Sequence, residues 1–131
     1  MTNIRLDPRA IQKVSGPSWV PLKQTFLDLS ECLLSVSDEA TARLTTIYVK
    51  YQVASEASDP VFAVAWVKTS REIVVGLAFP GERVPDTLKP PLAGMLYPGL
   101  TGYLVLRAGD QIPAEFGDWA RTAHQTVQGR D

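Results

Sequence analysis

The stretch FAVAWVKTSREIVVGLAF, Phe62 to Phe79, decides the fold. Two apolar runs flank a polar hinge, Lys68 to Arg71. Each run alternates: Phe62, Val64 and Trp66 against Val61, Ala63, Ala65 and Val67, then Ile73, Val75, Leu77 and Phe79 against Val74, Gly76 and Ala78. A period of two in β-branched and aromatic types is strand chemistry, and the short hinge makes the pair an antiparallel hairpin. Both faces are apolar, so both strands belong to the middle of a sheet. Read this way, Ala63, Ala65, Gly76 and Ala78 form a row of small side chains. Such a row is either a floor for a ligand or a seat on which a helix packs closely.

Working back from the hairpin, TIYVKYQV (46–53) is a further strand. Ile47, Val49, Tyr51 and Val53 lie on one face and Thr46, Tyr48, Lys50 and Gln52 on the other. Ser37 followed by Asp38 and Glu39 is a capping signal, which predicts a short helical turn over 38–43. Trp19, Leu22, Phe26, Leu29 and Leu33 recur at steps of three and four, placing a helix over 18–35 with Ser18 as its cap and Pro21 in its first turn. Residues 1–17, punctuated by Pro8, Gly16 and Pro17, read as an arm or a short turn of helix.

Working forward, Pro80, Pro85, Pro90, Pro91 and Pro98 with Gly81, Gly94, Gly99 and Gly102 exclude a long helix or a central strand from 80–102. Connections of this length are usually functional or loosely ordered. YLVLRA (103–108) resumes the sheet. Phe116, Trp119, Ala120, Ala123 and Val127 then form the stripe of a last helix, with Gly129 as its C-terminal cap. No helix separates the middle strands. The expected fold is therefore α+β: a largely antiparallel sheet of four to five strands with N- and C-terminal helices on one face, one domain over 18–128 and a tail at 129–131.

The totals narrow the function by exclusion. The chain has 131 residues, 45% of them hydrophobic and 21% charged, which suits one soluble globular domain with its own core. Its 13 basic and 14 acidic residues give no global attraction to nucleic acid or to an anionic membrane. One cysteine, Cys32, makes neither an internal disulfide nor a thiolate cluster. The opening MTNIRLDPRA lacks the apolar core of a signal peptide, and no apolar run reaches the length of about 18 residues that a membrane span requires. A cytoplasmic location is expected.

ARLTTIYVKYQV, REIVVGLAFPGE, GYLVLRAGDQIP and EFGDWARTAHQTV together resemble a bacterial family of small domains of unknown function, close to the YdhG-like superfamily, some of whose multidomain members are labelled predicted transport proteins. The resemblance covers residues 18 to 128. It implies an α+β fold with an antiparallel sheet and supplies no catalytic residue. The frataxin-like iron-carrying role suggested for some YdhG-like proteins would need converging carboxylates or histidines. Asp28, Glu31, Asp38, Glu39, Glu56 and Asp59 are instead scattered among neutral and cationic neighbours.

No phosphate-cradling glycine loop, paired-histidine metal motif, nucleophile elbow or CxxC is present, and no cofactor is implied. His124 follows the stripe position Ala123 and reads as a helix-flank residue; Cys32 reads as a small apolar group at the edge of the first helix. The leading reading is a non-catalytic binding or protein-interaction module for a small apolar ligand, a protein partner or a second copy of the chain. Its candidate recess comprises Ala63, Ala65, Gly76 and Ala78 beside a proline-rich flap carrying Met95, Leu96 and Tyr97, with Tyr48 and Arg107 at its margins. Two alternatives are an accessory nucleic-acid domain, using Lys50, Lys68, Arg71, Lys89 and Arg107 as a basic strip, and an enzyme with polar groups clustered around Tyr97 and Arg107.

Overall fold

The structure, a computed structural model, describes residues 5–56 and 58–128; the Gly129 cap and the tail lie outside them. In chain order the elements are helix α1 (Pro8–Lys13), helix α2 (Val20–Leu34), strands β1 (Thr41–Leu44), β2 (Tyr48–Gln52), β3 (Val61–Trp66), β4 (Glu72–Leu77) and β5 (Gly102–Arg107), and helix α3 (Phe116–Gln128). The strands form one sheet in sequence order, each antiparallel to the next. The expected α+β fold is thus present, with β3 central. Helices α2 and α3 pack against each other and against the sheet.

Register explains what each face holds. In the hairpin, Ala63 lies opposite Leu77, Val64 opposite Gly76 and Ala65 opposite Val75. Directly opposed residues share a face and successive residues alternate, so Ala63 and Ala65 face one side and Gly76 the other. The small residues therefore do not form one row, which corrects the sequence reading. The cause is the length of the hinge, which sets which residues of β3 and β4 meet. Ala63 and Ala65 share the face of Tyr51, whose hydroxyl meets Ser30 of α2 at 2.8 Å, and this is the side on which the helices lie. The centre of that layer is buried, including Phe26, Leu29 and Leu33 of α2 and Phe116, Ala120 and Ala123 of α3.

One irregularity tunes the contact with α3. Tyr51 lies opposite Ala63 but Gln52 opposite Val61, so β3 gains one residue at Phe62. A bulge of this kind re-aims a side chain. The Phe62 ring meets His124 edge to face, with centroids 5.3 Å apart.

The outer face of β3 and β4 is covered by the chain between β4 and β5. A Cβ at Gly76 would meet Leu100 Cδ1 at 2.9 Å and Tyr103 Cζ at 3.0 Å, so only glycine lets the aromatic ring and the flap lie this close. Leu88 and Leu100 are buried, and Lys89 exchanges both backbone bonds with Tyr103. The 80–102 segment thus contains no long helix or central strand; it holds a 3-10 turn at Gly81–Arg83 and hydrogen-bonded turns at 85–88, 92–95 and 97–100.

Two further expectations need correction. Thr41–Leu44 is a strand, not part of a helical turn: the Ser37 hydroxyl does accept the Glu39 N–H, but it closes a two-residue turn, and residues 41 to 44 then pair with β2. Ser18 does not cap α2, because a 3-10 turn at Pro17–Trp19 runs straight into it. Residues 5–14 are also more than an arm. Ala10 and Val14 are buried in the core. Ala42 N–H donates to the Arg5 carbonyl (2.8 Å), Asp7 N–H to the Ala42 carbonyl (2.9 Å), Leu44 N–H to the Asp7 carboxylate (2.9 Å) and Arg9 Nη2 to the Leu44 carbonyl (3.1 Å). Arg5 Nη1 reaches the carbonyls of Leu34, Ser37 and Ala40. The open edge of β1 and the C-terminal end of α2 are both satisfied by this segment.

Candidate functional site

An aromatic ladder crosses the outer face. The Tyr97 ring of the flap meets Tyr48 of β2 edge-on at 5.9 Å. Tyr48 lies 5.8 Å from Trp66, which stacks on Tyr103 at 5.8 Å. The Tyr103 hydroxyl donates to the Met95 carbonyl (2.6 Å), and Lys68 Nζ donates to the Gly94 carbonyl (3.2 Å), so the flap is tied down at 94–95 and braced at 97. Burial raises the pKa of Tyr97 above the ordinary phenol value, with Tyr48 adding to the rise; burial also raises Tyr103, and a backbone hydrogen bond with Tyr97 opposes it. Both hydroxyls are therefore neutral at physiological pH.

Two recesses adjoin the ladder. The larger, about 340 Å³, lies where three distant segments converge: Ser58, Asp59, Pro60 and Val61 leading into β3, Tyr97 and Pro98 of the flap, and Val127 in the last turn of α3. Two hydrogen bonds join Glu56 and Asp59 here: Asp59 N–H donates to the Glu56 carbonyl (3.0 Å) and Glu56 N–H donates to the Asp59 carboxylate (2.8 Å). Gln52, buried beneath, donates through Nε2 to the carbonyls of Glu56 and Asp59. The smaller recess, about 120 Å³, is lined by Trp66, Lys68, Thr69, Glu72, Val74 and Met95.

The expected site residues are divided by this geometry. Tyr48 and Tyr97 are brought into contact, and Tyr97 lines the larger cleft. Met95 lines the smaller recess. Ala63, Ala65 and Ala78 are fully buried, and Gly76 lies beneath Tyr103 and Leu100, so none of the four offers a floor. Arg107 is exposed at the end of β5, opposite Glu72. It lies three strands, roughly 14 Å, from the Tyr48 strand, so no polar cluster joins it to Tyr97. The five cations of the expected basic strip come from separate segments. Lys50 lies on β2, Lys68 and Arg71 at the hairpin turn, Lys89 in the flap and Arg107 on β5.

The sequence reading missed the 58–61 turn and Val127. The turn's Ser and Asp residues signalled a loop, but only the tertiary arrangement brings it against the flap and α3. His124, expected on the helix flank, is 6% exposed, and among the described residues its Nε2 has no hydrogen-bond partner. Burial lowers its pKa below the ordinary histidine value. It is one turn from both Ala120 and Val127, so it shares their stripe. Cys32 is half-buried, and burial raises its thiol pKa. Among the described residues no three of His, Cys, Asp and Glu come together to hold a metal, and no helix is long and apolar enough to cross a membrane. No protein-family model, curated protein or solved structure matches the chain.

Proposed function

We propose that the chain is a non-catalytic binding module whose recognition site is the cleft between the 58–61 turn, the flap at 97–98 and the end of α3. The observation that carries this reading is the cleft itself, about 340 Å³ of open space beside the packed core and larger than the recess at Trp66 and Met95. That volume is at the small end of the roughly 300–1,000 Å³ typical of ligand pockets. Its walls come from a hydrogen-bonded turn, a braced flap and a packed helix, so the site is preformed, which lowers the ordering entropy that binding must overcome. Leu96, 68% exposed beside Tyr97, extends the apolar surface along the flap. Kinship with the YdhG-like domains belongs to the same proposal and is carried by the residue pattern alone.

The test is a fragment screen followed by amide chemical shifts of the whole chain. Hits are expected to move the amides of residues 58, 59, 61, 97 and 127 together and to be lost in Tyr97→Ala with folding retained. Hits confined to other surfaces, or no saturable hits, would rule the site out.

A further inference from the structure

Granting the cleft as the binding site, on which this step rests, we infer that its ligand is a small organic cation: a primary or secondary ammonium joined to a flat or branched apolar body. Of the seven lining residues, Asp59 is the single acidic one and none is basic. Pro60, Val61, Pro98, Val127 and the Tyr97 ring supply apolar wall. The Asp59 carboxylate is held in place by the Glu56 N–H yet forms no ion pair among the described residues.

Among the described residues, no cation is paired with Asp59. Arg43 donates to the Ser55 carbonyl instead of forming an ion pair, and Lys50, though on the same face of the sheet as Tyr48, is not part of the lining. An anion entering the cleft would therefore meet a carboxylate that no cation among the described residues pairs with, and a neutral molecule would gain apolar burial alone. An ammonium gains that burial, a charge-assisted hydrogen bond to Asp59 and the attraction of the Tyr97 ring. Ser58 contributes a further hydroxyl acceptor at the cleft. N–H donors thus have more than one acceptor to satisfy, which favours a primary or secondary amine over a quaternary one.

The experiment is an amide-shift titration of the whole chain with three probes that share one body: phenethylamine, 2-phenylethanol and phenylacetate. Phenethylamine is expected to saturate shifts at 58, 59, 61, 97 and 127 and to bind about tenfold more tightly than the alcohol. Phenylacetate should bind most weakly. Asp59→Asn keeps an acceptor for the Glu56 N–H, so the fold survives, and it should bring the amine and the alcohol to equal affinity. The alcohol or the acid saturating the same amides as tightly as the amine, or an amine affinity unchanged by Asp59→Asn, overturns the cation while leaving the cleft in place. Saturable shifts at those amides with none of the three overturn both.

Discussion

Gly76 lies beneath Tyr103, and the 2.9–3.0 Å approaches that a Cβ would make set the expected effect of adding one. Gly76→Ala must push the Leu100 methyl or the Tyr103 ring outward, an overpacking that costs about 1–3 kcal/mol and reads out as a lower Tm. The Ser30–Tyr51 pair behaves differently because both groups are buried. Tyr51→Phe leaves the Ser30 hydroxyl without its partner and should cost about 1–3 kcal/mol in urea unfolding, whereas the double variant with Ser30→Ala should recover part of that loss. His124 makes stability depend on pH. Its folded-state pKa lies below the ordinary value of 6.5, so the unfolded chain binds the proton first. Its contribution is complete above about pH 6.5 and is lost as the pH falls through the window between that value and its lower folded pKa. His124→Leu should flatten the fall of Tm across this window; an unchanged slope would show that another group causes it.

At the scale of elements, the seal on β1 rests on Asp7, whose carboxylate caps α1, pairs with Arg9 and accepts the Leu44 N–H. The hydrogen bond from Arg9 is the largest cause holding its pKa down at about 2, from 3.8. This contribution is present above about pH 3.8 and disappears as the pH falls toward 2, a window distinct from that of His124. Asp7→Ala should cost about 1–2 kcal/mol and speed hydrogen exchange at Leu44. The flap has its own test: Tyr103→Phe removes the bond to the Met95 carbonyl and should raise exchange over 94–100 more than it lowers Tm. The elements themselves were largely legible, because the alternation of β2 to β5 and the stripes of α2 and α3 are local signals. β1 was not. Its capping-like Ser37 makes the expected side-chain bond, but the fate of Thr41–Leu44 depends on partners at 5–9 and 49–52. The faces of the hairpin were misread for a related reason: alternation within each strand says nothing about how two strands are phased, and a one-residue change of phase moves Gly76 from the side of Ala63 to the opposite side.

For the whole molecule, a five-stranded meander leaves two edges, and each is managed by a neighbouring segment. Lys89 pairs with Tyr103, and the Asp110 carboxylate accepts the Arg107 N–H, on the outer edge of β5; residues 5–9 cover β1. Unpaired edges invite pairing with other chains. Removing residues 1–9 should therefore produce association that grows with concentration, measured by light scattering on a sizing column, and a shortened chain that stays monomeric at all concentrations would show that the segment does not serve this end. The cleft, in contrast, could not be read from the sequence, since its walls come from segments nearly seventy residues apart whose meeting is a property of the packed chain. The stack of Trp66 on Tyr103 carries one more consequence. Trp66 is shielded within the ladder, with the Met95 thioether beside it, while Trp19 and Trp119 are half-exposed on helical parts of the chain. Lifting of the flap should accordingly shift the emission of one indole to longer wavelength and change its near-ultraviolet dichroism, so the protein contains its own optical gauge of the flap and needs no attached dye.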